Sequence, residues 1–401
     1  MENKRCSFCF RTAGSNCGPP RVTSDAIAKL YRTVRHGRPR QRIRGCYPNK
    51  LKRLPFLDWM RGLAVLLMIP SHAFNAFTRP ELRGHSAYML SQFFGGMAAP
   101  LFLFLAGVTF AFQMDRLDEA AETALARIWK LVQRGGYILV LAYLFRLSNA
   151  VVHLPSPDWD SLWKVDILNC MGVTIAGLSL ITLWPAATRP QMAAVTGLAL
   201  ASAAPLVSGL DWSAAPAVVK EYLVPDRMRF PLFPWSAYVA FGLAGGLALR
   251  RCRAELLERM LQWGAWAGLA VALGVLHFNT LPYTLYPKSD FWTDSPALVF
   301  IRTGVILVIA GAAWVWTEHL ARPGAGWMQV FGRTSLLVYW VHIVLVYGVL
   351  WNLWGQKLDV AGSAAAAAMV VVAMAGLARF RLKFKHSKRR AEARALQHQE
   401  A

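Results

Sequence analysis

Charge is what this chain has least of. Asp, Glu, Lys and Arg make up only 16% of its 401 residues, where a soluble domain carries about a quarter. Acidic residues are the scarcer half, 22 against 44 Lys and Arg. Cysteine is also scarce, with six in all: Cys6, Cys9, Cys17 and Cys46 in the N-terminal stretch, Cys170 in an apolar run and Cys252 beside Arg250 and Arg251. None falls in a predicted outward loop, so a disulfide framework is not expected. Cys6 and Cys9 supply half of a zinc-type spacing without a second half, and no metal is predicted. There is no Asn-x-Ser/Thr acceptor, which argues against a glycosylated compartment. No apolar run near the N-terminus has the form of a signal peptide. No internal repeat is visible, which withholds support from an inverted-repeat transporter.

Hydrophobic residues fill the deficit, at 55% with a mean hydropathy of +0.34. They fall into long runs, so the fold class is an all-α integral membrane protein. About ten transmembrane helices are expected, each near the ~20 residues a bilayer requires. They cover residues 55–77, 89–113, 131–152, 165–184, 191–210, 232–250, 261–278, 297–319, 328–351 and 360–379, the fourth and fifth forming a hairpin across a short Pro-containing turn. Three parts follow: a basic, disordered tail over 1–52, a membrane domain over 53–379 and a basic tail over 380–401. The net charge of +22 sits in the tails and in alternate short loops. Topology and anionic membrane lipid therefore explain it better than nucleic acid does. The positive-inside rule places both termini in the cytoplasm.

Several polar groups fall inside these spans. In the first, His72 lies eleven positions after Arg61. At ~100° per residue that returns within ~20° of the starting direction, so the two share a helical face. Asp58 suits the first turn and is spaced to pair with Arg61. Pro70 removes a backbone donor just before His72. Arg146 and Asn149 fall late in the third span, Asp166 and Asn169 open the fourth, Arg302 is early in the eighth and His342 lies mid-way along the ninth. Ionisable groups at such depth usually face a protein interior or a watery cavity; singly, each also serves as an interhelical hydrogen bond. The loops over 211–231 and 279–296 carry Trp212, Tyr283, Tyr286 and Trp292 beside Asp211, Asp226, Asp290 and Asp294. These fit an interfacial aromatic belt, and also a surface that packs sugar rings.

The run Leu57-Asp58-Trp59-Met60-Arg61-Gly62-Leu63-Ala64, ending in His72, resembles the opening motif of integral-membrane acyltransferases. The family is the bacterial heparan-α-glucosaminide N-acetyltransferase-like group, related to the acyltransferase-3 clan. Further similarities follow in order: Pro100-Leu101-Phe102-Leu103-Phe104-Leu105-Ala106-Gly107, Asp166-Ile167-Leu168-Asn169, Phe230-Pro231-Leu232-Phe233-Pro234-Trp235 and the segment from Gly332-Arg333-Thr334-Ser335 to His342. Together they span residues 54–350 and leave out the tails. The resemblance implies acetyl-CoA or another acyl-CoA as donor on the cytoplasmic side. It implies a glycan or amino-sugar acceptor on the far side, in a bacterial cytoplasmic membrane.

For the chemistry, His72 is the expected general base, its neutral imidazole suited to proton transfer near pH 7. His85, ahead of the second span, competes for that role. Asp166 is expected to orient His72, and Asn169 or Arg146 to donate to the oxyanion. An acetyl-imidazole intermediate is a variant. Arg61, Lys130, Arg134, Arg250 and Arg251 are available to the donor's phosphates, with Asp58, Arg302 and His342 completing the expected binding set. A transporter using the same intramembrane His, Asp and Arg groups, and a non-catalytic scaffold, are the alternatives. Acyl length, acceptor identity, and monomer against homodimer stay open.

Overall fold

The computed structural model describes residues 54–399 apart from 121, 153–158, 227–228, 284, 287 and 322–325. The tail over 1–52, with its four cysteines, and Arg227 therefore lie outside the described residues. The described chain is helical, with one isolated bridge, Thr78 to Leu358, and no strand.

Helix α1, Pro55–Phe77, starts with proline at its first positions and Asp58 in its first turn. Both suit a helix N-terminus, where a missing N–H costs nothing and the dipole favours an anion. Helices α2, Ser86–Gly95, and α3, Ala98–Glu119, occupy the second predicted span. The expected single helix over 89–113 is broken between them at Gly96 and Met97. At this break a Cβ on Gly95 would lie 2.2 Å from the Ser71 side chain, so glycine lets α2 close on α1. Helix α4 is Ala124–Val152 and α5 is Ile167–Leu178. The fourth span is shorter in α-helix than expected, because a 3₁₀ segment over Ser179–Leu183 takes over.

Next come α6, Arg189–Ser208, the short α7, Ala217–Leu223, α8, Leu232–Arg251, α9, Leu257–Phe278, and α10, Pro296–Val315. The hairpin expected of the fourth and fifth spans is not the main packing. Helix α5 packs chiefly on α4, and α6 on α8. The ninth span departs most. Helix α11, Trp327–Arg333, meets α12, Ser335–Ile343, at a bend of 80°, so 328–351 is not one straight helix. Thr334 takes φ −118° and ψ 14° at the corner. The short α13, Trp351–Trp354, leads to α14, Val360–Gln399, a single helix that runs on through the basic region expected as a tail.

Among the described residues, six helical stretches are long and apolar enough to cross a membrane, or seven if the bent pair counts as one. Helices α1 and α4 are outside that set, for they carry the polar residues singled out above. Helix α1 is the hub, packed on α2, α3, α10, α11, α12, α13 and α14. Two glycines bring α11 onto it: a Cβ on Gly62 would lie 1.9 Å from the Met328 carbonyl oxygen, and one on Gly332 would lie 1.8 Å from that of Asp58. At the far end of α1 the chain is tied to the start of α14. Leu358 N–H donates to the Phe77 carbonyl at 2.9 Å, Arg79 N–H to that of Leu358 at 3.0 Å, and the buried Thr78 hydroxyl to Ser363 at 2.9 Å.

Candidate active site

A cavity of about 710 Å³ runs beside α1. Its lining reaches from Arg61, Gln113 and Arg134 at one end to Asn75, Asp226 and Trp292 at the other. Asn75 lies fourteen positions after Arg61 on α1, so the cavity extends ~21 Å along that helix. The middle is apolar, with Phe102, Leu105, Ile138 and Met171 among its walls. It falls within the size range of ligand sites, which combine apolar walls with a few placed polar groups.

At the first end, Asp58 is almost wholly buried, and its carboxylate accepts from Arg61 Nη1 at 3.2 Å. Arg61 Nη2 donates to the Thr109 hydroxyl at 2.6 Å, which fixes the guanidinium against α3. Arg333, at the end of α11, reaches the other Asp58 oxygen through Nε at 3.4 Å. Arg134 lines the same end and is exposed. Lys130 and Arg250 are engaged elsewhere, the first with Glu122, the second with Asp115 and Glu119, so they form an anchored rim away from the lining.

His72 lines the cavity further along, on the same α1 face as Arg61. Its Nδ1 lies 3.1 Å from the Tyr347 hydroxyl, which also accepts from Asn75 Nδ2 at 3.2 Å. Tyr88 donates to Asn75 Oδ1 at 3.4 Å, extending the network to α2. Gln92 Nε2, also on α2, donates to the Ser71 carbonyl at 3.0 Å. With Nδ1 held by a phenol, Nε2 is the ring nitrogen left for chemistry. His342 is fully buried, its ring centroid 5.4 Å from that of His72. His342 Nδ1 lies 2.8 Å from the Val338 carbonyl oxygen; a carbonyl only accepts, so Nδ1 carries the hydrogen. That leaves Nε2 as a bare, buried acceptor with no partner among the described residues.

Of the other expected site residues, all but Arg302 separate from this cavity. Asp166 does not orient His72: it caps α5, accepting from the Leu168 and Asn169 backbone at 2.9 and 3.1 Å, and sits 3.5 Å from Arg146 Nε. A carboxylate at a helix start satisfies orphan N–H groups, and Asn169 completes the capping box from its side chain. Asn169 donates to the Tyr222 hydroxyl at 3.2 Å. Burial, first of all, raises the Tyr222 phenol above its ordinary value. None of Asp166, Asn169 and Arg146 is in the cavity wall. His85 is exposed and caps α2, its Nδ1 accepting from Ala87 N–H at 3.2 Å. Arg302 does line the cavity, its guanidinium 5.9 Å from the Trp235 ring centroid. Tyr347, Gln92 and Thr109 were not among the sequence-derived candidates. A lone Tyr, Gln or Thr in an apolar helix carries no periodic or charge signal, and only the long-range pairings single these out. No cluster of His, Cys, Asp and Glu able to hold a metal occurs among the described residues.

Apolar helices around a long, polar-ended cavity with a histidine in its wall define a multi-pass membrane protein. The chain belongs to the heparan-alpha-glucosaminide N-acetyltransferase catalytic family, which it matches over residues 53–274, and is thereby a membrane acyltransferase. The matched segment contains Asp58, Arg61, His72 and Arg134; Arg302, Arg333, His342 and Tyr347 follow it. No curated protein matches the chain.

Proposed function

We propose that the protein moves an acetyl group from cytoplasmic acetyl-CoA to an amino sugar or glycan on the opposite side of the membrane, with His72 as general base. One observation carries this reading: Arg61 and His72 line a single cavity at different depths on one face of α1. The donor's phosphates need cations, and Arg61 and Arg134 are at one end. Its thioester arm is long and thin, as is the cavity. The acceptor approaches from the end lined by Asn75, Asp226 and Trp292, where an aromatic face and a carboxylate suit a sugar bearing an amine. The family description points to a glucosaminide.

In the transfer, the acceptor nitrogen or hydroxyl oxygen attacks the thioester carbonyl carbon. His72 Nε2 takes the proton released by that atom, while Nδ1–H donates to Tyr347. The C–S bond then breaks, and the leaving thiolate recovers the proton from His72, so the enzyme is regenerated. A chain of this composition crosses the bilayer about ten times, counting α1, α4 and α5 with the apolar set and the bent pair. Residues 1–52 and 380–401 then lie on the cytoplasmic side by the positive-inside rule, in a bacterial cytoplasmic membrane. The test is acetyl transfer from radiolabelled acetyl-CoA to glucosamine by the purified chain in nanodiscs. His72→Ala should lower kcat by ~10²–10⁴-fold, the usual worth of a positioned base. Full activity in a folded His72→Ala protein would refute the assignment. Acceptor movement without acetylation would favour transport instead.

A further inference from the structure

Arg333 does not line the cavity, yet its backbone and side chain are both tied to the cavity's Arg61 end. Glycine at 332 allows α11 to sit against the Asp58 carbonyl, where a Cβ would lie 1.8 Å away. The chain then turns at Thr334, whose hydroxyl donates to the Val330 carbonyl at 2.9 Å, and Ser335 enters the cavity wall. Arg333 touches Asp58 through Nε alone, at 3.4 Å, with 31% of its side chain exposed. Both of its Nη groups are left without a hydrogen-bond partner among the described residues. An arginine serving only to staple two helices would present its fork to the carboxylate, two parallel bonds rather than one long one. Asp58 holds Arg61 by its other oxygen, so two guanidinium groups stand one carboxylate apart. Arg134 stands at the same end of the cavity, exposed.

We propose that Arg333, with Arg61 and Arg134, forms a clamp for the diphosphate of a nucleotide-bearing acyl donor, and that buried Asp58 holds two of the three arginines in register. The proposal rests on the donor reading above and names a binding residue beyond the matched family segment. Two arginines spaced by an anchoring carboxylate offer separate N–H groups to adjacent phosphates, which one surface lysine does not. The same chemistry would serve a phospholipid headgroup, so the test separates the two sources.

Initial rates are measured for the full chain in phosphatidylcholine nanodiscs with two donors, acetyl-CoA and S-acetyl-pantetheine, which shares the thioester arm but has no phosphate. Arg333→Gln should raise KM for acetyl-CoA about tenfold, with kcat little changed and KM for S-acetyl-pantetheine unaltered. Arg333→Lys, which keeps the charge without the fork, should fall between, and carries the comparison if the Gln variant does not fold. An equal rise in KM for both donors, or a fall in kcat alone, would mean a helix staple and overturn the clamp. So would an effect of Arg333→Gln that appears only when phosphatidylglycerol is added, since the anion would then be a lipid. Calorimetric titration with ADP keeps the two readings apart. ADP binding weakened by Arg333→Gln in a protein that transfers from neither donor would sink the acyl-transfer reading and keep the clamp. ADP binding unchanged in that variant would sink the clamp alone.

Discussion

Helices α1 and α9 have nearly equal lengths, 23 and 22 residues, and opposite surroundings. Helix α1 buries Asp58, Met60, Gly62, Val65, Ile69 and much of its remaining length against seven neighbouring helices. Helix α9 buries only Leu257, Leu261, Gly268 and Ala272, and leaves Trp263 73% and Trp266 66% exposed. Its main partner is α10, which it meets where Gly268 and Gly304 face each other, a Cβ on either lying within 2.5 Å of the other's carbonyl oxygen. Small residues at such a crossing let two helices approach in lipid, where no hydrophobic force drives them together. A helix with one partner has a face for lipid and needs no polar group. A helix ringed by partners can keep Asp58, Arg61 and His72 because protein, rather than hydrocarbon, supplies their contacts.

That contrast can be broken first at the cavity wall. His72→Ala should abolish most of kcat, whereas Trp263→Ala on α9 should leave the rate within a factor of two; transfer assays on the two variants compare them directly. Second are the glycines. Ala at Gly62 must displace the Met328 carbonyl, an overpacking cost of about 1–3 kcal/mol or more. Ala at Gly264 meets nothing within 4 Å and should stabilise α9 by ~0.5–1 kcal/mol, since glycine costs that much in a helix interior. Thermal unfolding in detergent should show a lower midpoint for the first and an equal or higher one for the second. Third, Tyr347→Phe keeps the ring and removes the hydrogen bond to His72 Nδ1, so kcat should drop by about tenfold, worth ~1.4 kcal/mol, with KM for the donor unchanged. An unaltered kcat would release Tyr347 from orienting His72. The smallest effect belongs to His85→Ala, which removes one cap from the exposed start of α2. Stability should fall by ~0.5–1 kcal/mol and transfer should persist; its loss would return the catalytic role to His85.

How much of this was readable beforehand depended on distance along the chain. Asp58, Arg61 and His72 lie on one helix, so helical periodicity alone predicted their pairing and shared face. Asp166 was read as a partner for His72 because both looked like buried ionisable groups. Its place at a helix start instead commits it to the Leu168 and Asn169 backbone and to Arg146. The pattern Asp-x-x-Asn ahead of an apolar run is a capping signal, and weighing it would have told against the dyad. The break at Gly96 did carry a local mark, the Gly95-Gly96 pair that punctuates an apolar run, and weighing it would have split the second span; the bend at Thr334 had none, because it arises where α11 closes onto α1.

The chain by itself determined that it is a helical membrane protein of this acyltransferase family and which face of its first helix is polar. The family rests on short ordered motifs, the class and the polar face on composition, run length and a 3.6-residue period; all are local quantities that survive without knowledge of neighbours. Tertiary structure alone decided which of the polar residues share a cavity. Tyr347 and Arg333 each lie 275 positions from the residue they contact, His72 and Asp58. Contacts at that separation depend on how seven helices close around α1, and no local pattern encodes that packing.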